Sequence, residues 1–246
     1  MSLHNTFRMP PVTFNFLAIN ILLYLLKLVF QYKYDVDISE YLGLRYIKST
    51  DYHWYQWITY MFVHANEMHI FFNMFALWMF GPLLEQLWGW KKFMIYYIVC
   101  GLGAAVTQEI VYYFSIADMM NELEKIHQNI MQIPSETVRQ QYLEKWIERV
   151  NEWNDGMIVI GASGAIYGLL AAYGVLFPNT IFYVYFIMPI KAKWFVTIFG
   201  LIELITGVFI DDNVAHFAHL GGMVVGMIWV LIWKRKNKVE IHLTEF

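Results

Sequence analysis

Runs of about twenty residues nearly free of charge limit this chain more than any other feature it has. Apolar segments fall at about 12–30, 69–88, 91–114, 160–177, 193–210 and 214–233, lengths that cross a hydrocarbon core of ~30 Å as helices. Hydrophobic residues make up 59% of the 246 and charged residues 15%, with a mean hydropathy of +0.43. An average soluble domain is about 45–50% apolar and about 25% charged, so a soluble globule cannot hide this much apolar surface. The expected fold is all-α: a single polytopic membrane domain, 1–246, with six transmembrane helices.

Seventeen Lys and Arg against twenty Asp and Glu give a formal charge of −3, which builds no basic face for a run of phosphates and excludes a nucleic-acid partner. The single cysteine, Cys100, excludes an intramolecular disulfide and a thiolate metal cluster. The lead MSLHNTFRMPP lacks the small-residue cleavage pattern of a signal peptide, so the first helix is expected to remain in the mature protein. With the N-terminus inside, the inner face collects Arg8, Lys91, Lys92, Lys191, Lys193, Lys234, Arg235, Lys236 and Lys238, nine charges against seven outside. The dense clusters beside span ends decide orientation, because long loops cross regardless of charge. Both termini are therefore expected on the cytoplasmic side.

Two stretches are not membrane-like: residues 31–68, and an outer insertion at 115–157 that carries eight acidic and four basic side chains. The insertion breaks at Pro134 into two helical halves, with Ser135 as N-cap of the second. Val138, Tyr142, Trp146 and Val150 recur every four residues, flanked by Leu143, Ile147 and Trp153, so this half is amphipathic. It suits packing on the outer rim or the lipid interface, or a lid over a site.

Ionisable or nucleophilic side chains inside spans are costly and mark candidate sites. Gly161-Ala162-Ser163-Gly164 opens the fourth span, where a serine meets free backbone N–H groups and the positive end of the helix dipole. Such small residues also serve close helix packing. Asn213 to Gly222 opens the sixth span with His216 and His219, either of which can serve as base for a serine, and Gly222-x-x-x-Gly226 lets the two helices approach. Histidines at a helix start are also ordinary structural residues, and spacing does not choose between them. On the second span His69 and Asn73 are four apart on one face, so their N–H groups can converge on one anionic oxygen. An asparagine there also fits interhelical hydrogen bonding.

Taken together, His69-x-x-x-Asn73, Gly161-x-Ser163-Gly164 and Ala218-His219-Leu220-Gly221-Gly222, in this order over residues 54–233, resemble the rhomboid family of intramembrane serine proteases. The resemblance implies Ser163 as nucleophile and His219 as general base, a dyad without a buried aspartate. It implies an oxyanion hole of His69, Asn73 and the Ser163 N–H, with Gly161 in the same loop and Tyr167 stacked on the His219 ring. Glu85 also matches the family pattern, in a structural role. The substrates implied are single-pass transmembrane proteins in the lipid bilayer, cut near the outer interface through an acyl-enzyme, with no cofactor and no metal. The expected location is the bacterial cytoplasmic (inner) membrane. Two departures stand out: Tyr55-Gln56 where many members carry Trp-Arg, which bears on how the first outer loop is held, and the long insertion.

Other classes make distinct demands. A catalytically silent rhomboid-like protein that binds client helices would dispense with Ser163 or His219, and both are present. A metalloenzyme built on His64, Glu67, His69, His216 and His219 lacks the H-E-x-x-H pattern. A transporter resting on Glu109 and Glu203 lacks an evident partner for either, and Glu203 is expected to face the bundle interior.

Overall fold

Hydrocarbon offers no partner to a backbone N–H or C=O, so an apolar run is stable there when it closes its hydrogen bonds within itself, as an α-helix does. The structure, a computed structural model, describes residues 9–184, 188–210 and 214–237. Arg8, Asn213 and Lys238 lie outside the described residues, as do the side chains of Trp153 and Lys236. In chain order the elements are α1 (Pro11–Tyr34), α2 (Ser39–Leu42), β1 (Leu44–Arg45), α3 (Gln56–Thr59), a 3-10 turn at Tyr60–Phe62, α4 (Glu67–Trp88), α5 (Trp90–Met131), α6 (Glu136–Gly156), β2 (Ile158–Val159), α7 (Ser163–Leu176), β3 (Ile181–Val184), β4 (Met188–Lys191), α8 (Ala192–Phe209) and α9 (His216–Asn237). Among the described residues the chain is all-α apart from two small antiparallel pairings, β1 with β2 and β3 with β4.

Helices α1, α4, α5, α8 and α9 are long and apolar enough to cross a membrane. Helix α7 is not: its 14 residues rise about 21 Å at 1.5 Å each, short of a ~30 Å core. It is instead the buried centre of the bundle, packed by α4, α5, α8 and α9. Outward faces such as Leu22 and Leu25 of α1, Phe72 and Trp78 of α4, and Ile205 and Val208 of α8 are exposed and apolar, as lipid contact requires.

Buried polar groups fix where the peripheral helix docks. The start of α1 has no acceptor for its first N–H groups within the helix. Glu85, 2% exposed on α4, accepts the Val12 N–H at 2.9 Å, the Thr13 N–H at 2.7 Å and the Thr13 hydroxyl at 2.7 Å. At the other end of α1, Lys27 donates from Nζ to the His64 and Ala65 carbonyls at 3.0 and 3.1 Å and pairs with Asp37 at 3.3 Å. A lysine in an apolar span thus pins the loop that leads into α4.

The first outer loop is held without the arginine of the Trp-Arg pattern. Gln56 is fully buried; its carbonyl accepts the His53 N–H at 3.1 Å, and its amide donates to the Tyr41 and Asp51 carbonyls at 3.3 and 3.1 Å. Arg45, also buried, reaches Glu40 and the Asp155 carbonyl.

The insertion breaks around Pro134 between two helices, as read from the sequence, and the structure adds two details. Helix α5 does not stop near residue 114 but runs unbroken for 42 residues, because a change of hydropathy marks the edge of lipid, whereas a helix ends at a breaker, and residues 115–131 contain no Pro or Gly. Ser135 does occupy the N-cap position of α6, but its side chain makes no cap hydrogen bond. Helix α6 folds back on the outward continuation of α5: Trp146 donates from Nε1 to the Leu123 carbonyl at 3.0 Å and its ring lies 4.9 Å from that of His127. At its end Asp155 accepts from the Ser49 hydroxyl at 2.6 Å and from Thr50 N and Oγ1 at 3.0 Å. Burial opposes the charged form there, but these hydrogen bonds and nearby Arg45 outweigh it and hold the Asp155 carboxyl below the usual carboxylate range. Strand β2 then pairs antiparallel with β1, Leu44 opposite Val159, two residues before Gly161.

Candidate active site

Three elements meet where α7 begins. Gly161 has φ +124°, a conformation that a side chain disfavours, and a Cβ there would stand 2.6 Å from His69 Nε2. Its N–H donates to the Tyr60 carbonyl at 2.9 Å. The turn this makes starts the helix at Ser163, and geometry leaves the N–H groups of Ser163, Gly164 and Ala165 without intrahelical acceptors; the first bonded one is Ile166, to the Ala162 carbonyl at 3.1 Å. Ser163 therefore stands at the positive end of the helix dipole.

Helix α9 brings His219 to this serine, with Nε2 at 2.7 Å from Ser163 Oγ. Glycines permit the approach: a Cβ on Gly222 would lie 1.9 Å from the Gly164 carbonyl oxygen, and one on Gly226 would lie 2.9 Å from Gly168 Cα. Tyr167, one turn into α7, stacks on the His219 ring at 4.6 Å between centroids and 6° between planes.

His69 and Asn73 on α4 form the facing wall. His69 Nδ1 accepts the Ala65 N–H at 3.4 Å, which leaves the ring proton on Nε2, the nitrogen beside Gly161. Asn73 is 6% exposed and gives one amide hydrogen to the His69 carbonyl at 2.9 Å, leaving its second free of that bond. A cavity of about 940 Å³ is lined by His69, Asn73, Gly161, Ser163, Tyr167 and His219, together with apolar residues of α4, α7 and α8. The structure thus gathers every site residue read from the sequence around one space.

Behind the wall, His64 is fully buried, its ring 5.0 Å from that of His69, and neither of its nitrogens has a hydrogen-bond partner among the described residues. Burial, then His69, then the Lys27 ammonium push the His64 imidazole down to about 3.

Beside the Ser163–His219 pair stands a carboxylate that the resemblance does not imply. Glu203 of α8 faces inward, as expected of it, and its Oε2 lies 3.0 Å from His219 Nδ1 and 2.6 Å from His216 Nδ1, while Oε1 accepts the Tyr167 hydroxyl. Thr206 Oγ1 is 3.1 Å from His216 Nδ1. One ligand atom each from Glu203, His216 and His219 lies within 4.8 Å of the others, a grouping that among the described residues offers room for a metal ion. Their 2.6 and 3.0 Å separations are hydrogen-bond lengths.

Two contributors escaped the sequence reading, the link from Glu203 to His219 and the Lys27 anchor. Both carry the same signal, a lone charge within an apolar run.

Fold and site first define a class, an all-α polytopic membrane protein with a serine and a histidine in contact inside the bundle. Within that class the chain belongs to the rhomboid family: the rhomboid domain matches residues 51–236. It is similar to the rhomboid protease GlpG of Haemophilus influenzae, 23% identical over 237 residues covering 93% of this chain and 95% of that one. It is also similar to the rhomboid protease AarA of Providencia stuartii, 25% identical over 228 residues, 88% of this chain and 70% of that one. A mitochondrial rhomboid protein of Schizosaccharomyces pombe is 24% identical over 216 residues, 75% of this chain, and the match spans about half the length of that relative, 53%. The family is one of intramembrane serine proteases, which supports that activity at the level of the family.

Proposed function

We propose that this chain is an intramembrane serine endopeptidase that cleaves single-pass transmembrane proteins near the outer membrane interface. The observation that carries the reading is the 2.7 Å contact between Ser163 Oγ and His219 Nε2 at a helix N-terminus that opens into the 940 Å³ cavity. Ser163 attacks the scissile carbonyl carbon while its proton passes to His219 Nε2. The carbonyl oxygen becomes an oxyanion, received by the Ser163 N–H, His69 Nε2–H and the second Asn73 amide hydrogen. The C–N bond then breaks, the His219 proton goes to the leaving nitrogen, and an acyl ester remains on Ser163. Water, deprotonated by His219, hydrolyses that ester and the proton returns to Ser163. Gly161 keeps the mouth free of a side chain, and Tyr167 holds the His219 ring plane.

The short α7 supports a site set below the membrane edge, and the basic clusters at 91–92 and 234–235 support both termini on the cytoplasmic side of a bacterial inner membrane. A fluorophosphonate, which phosphonylates an activated serine, tests the chemistry without a known substrate. Wild type should label covalently, Ser163→Ala should not, and His219→Ala should label at least 100-fold more slowly. Equal labelling of Ser163→Ala would sink the assignment, and no labelling of folded wild type would leave a rhomboid-like protein that binds helices without cutting them.

A further inference from the structure

We infer that Glu203 is a third member of the machinery, a positioning residue that fixes the tautomer of His219 and stabilises the imidazolium formed during reaction. The inference rests on the Ser163–His219 reading and adds to it an acid on a helix that carries none of the other site residues.

The argument is one of donors and acceptors. Ser163 gives up its proton only if the nearby His219 Nε2 carries a lone pair, which requires the ring proton on Nδ1. Glu203 Oε2, 3.0 Å from Nδ1, accepts that proton's hydrogen bond and so selects the reactive tautomer. An ionised carboxylate offers acceptors only. Among the described residues Glu203 meets three donors: His219 Nδ1–H and His216 Nδ1–H on one oxygen, and the Tyr167 hydroxyl on the other. Tyr167 joins the same carboxylate to the ring that it stacks on. Glu203 is 7% exposed, so its orientation is set by protein rather than water. When the Ser163 proton arrives on Nε2, His219 becomes a cation beside a fixed negative charge, and Glu203 itself exchanges no proton. Among the described residues, the groups that face this pair from the packed elements are Tyr167 of α7, His216 of α9 and His69 of α4.

The test is the rate of fluorophosphonate labelling against pH for wild type, Glu203→Gln and Glu203→Asp, with Ser163→Ala as blank. Glutamine matches the shape but presents an amide and no charge. Its maximal rate should fall by about 10- to 1000-fold. Its acid limb should move to lower pH by about one unit or more, because the carboxylate no longer favours the protonated ring. Glu203→Asp, which keeps the charge on a shorter stem, should retain the wild-type acid limb. A Glu203→Gln enzyme with an unmoved acid limb, whatever its rate, overturns the inference, as does a rate within threefold of wild type. A second measurement needs no variant at 203: in ¹⁵N-histidine-labelled wild type, the His219 signals, assigned by their loss in His219→Gln, should show a protonated Nδ1. A proton on Nε2 in the resting enzyme overturns the inference too. If wild type itself fails to label, it is the protease reading that fails.

Discussion

Placing one methyl group on Gly222 should separate Ser163 from His219, its proposed base. A Cβ there would stand 1.9 Å from the Gly164 carbonyl oxygen and 2.7 Å from its carbon, where ordinary contact begins at 3.4 Å. The obstructing atoms are helix backbone and cannot rotate away, so in Gly222→Ala α9 must retreat from α7 by about 1.5 Å. Gly164 follows Ser163 directly and Gly222 lies one turn from His219, so the separation falls on the 2.7 Å contact and opens it to about 4 Å. That is beyond hydrogen-bond reach. A misplacement of about 1 Å at a reacting pair costs on the order of 100-fold, so labelling by fluorophosphonate should slow by at least that factor. Overpacking costs about 1–3 kcal/mol, which should lower the Tm in detergent without abolishing the fold. Gly226→Ala, whose Cβ would meet the Tyr96 hydroxyl at 2.5 Å and Gly168 Cα at 2.9 Å one turn further from the site, meets backbone less closely and should slow labelling less, and Gly156→Ala, with nothing within 4 Å, should label as wild type. A folded Gly222→Ala protein that labels within threefold of wild type would refute the reasoning that glycine contact sets the catalytic distance.

Glu85→Ala strands two backbone N–H groups and a hydroxyl in a buried place, so it should cost about 3 kcal/mol or more and release α1 first. Thermal unfolding and proteolysis at the N-terminal side would show this, and an unchanged Tm would argue against the cap. His64 imposes a pH dependence with a definite sign. Its folded value of about 3 lies below the ordinary 6.5, so between these limits the unfolded chain binds the extra proton and stability falls as pH falls. The full span of about 3.5 units corresponds to about 5 kcal/mol at the acid end. Denaturation in detergent from pH 7 to 4 should show this slope in wild type and a flatter one in His64→Leu; parallel slopes would exclude His64 as the cause.

The all-α membrane character was legible because it follows from composition and run length, which any fold of these residues must obey. The residues that gather around the cavity were legible as candidates because each sits at a place where local geometry selects residue type: a glycine at positive φ, a serine at a helix start, two side chains one turn apart. What sequence did not reveal is contact between elements. Glu203 is sixteen residues from His219 and on another helix, and although a lone acid in a span is expected to face the bundle interior, nothing in hydropathy says which partner it meets there. The continuation of α5 past residue 114 was hidden for a different reason, since polarity changes there while helix propensity does not. Gln56 shows the same limit from the other side: the residue type departs from the family pattern, yet three hydrogen bonds restore the loop's anchorage.

These anchors also decide how the insertion bears on the site. Helix α6 leans on α5, and its end is tied to the first outer loop through Asp155 and the β1–β2 pairing, two residues before Gly161. The chain therefore reaches Gly161 from a fixed point, and motion at the far tip of the hairpin is not passed directly to the Ser163 turn. The two titrations separate the supports. The depressed Asp155 value means that its tie is fully present above the ordinary 3.8 and is lost as pH falls through the lower folded value. The strain from His64 begins already below 6.5. Acid should thus loosen the lead into α4, which carries His69 and Asn73, before it releases the insertion. Loss of the proposed oxyanion wall then precedes loss of the loop that leads into Ser163.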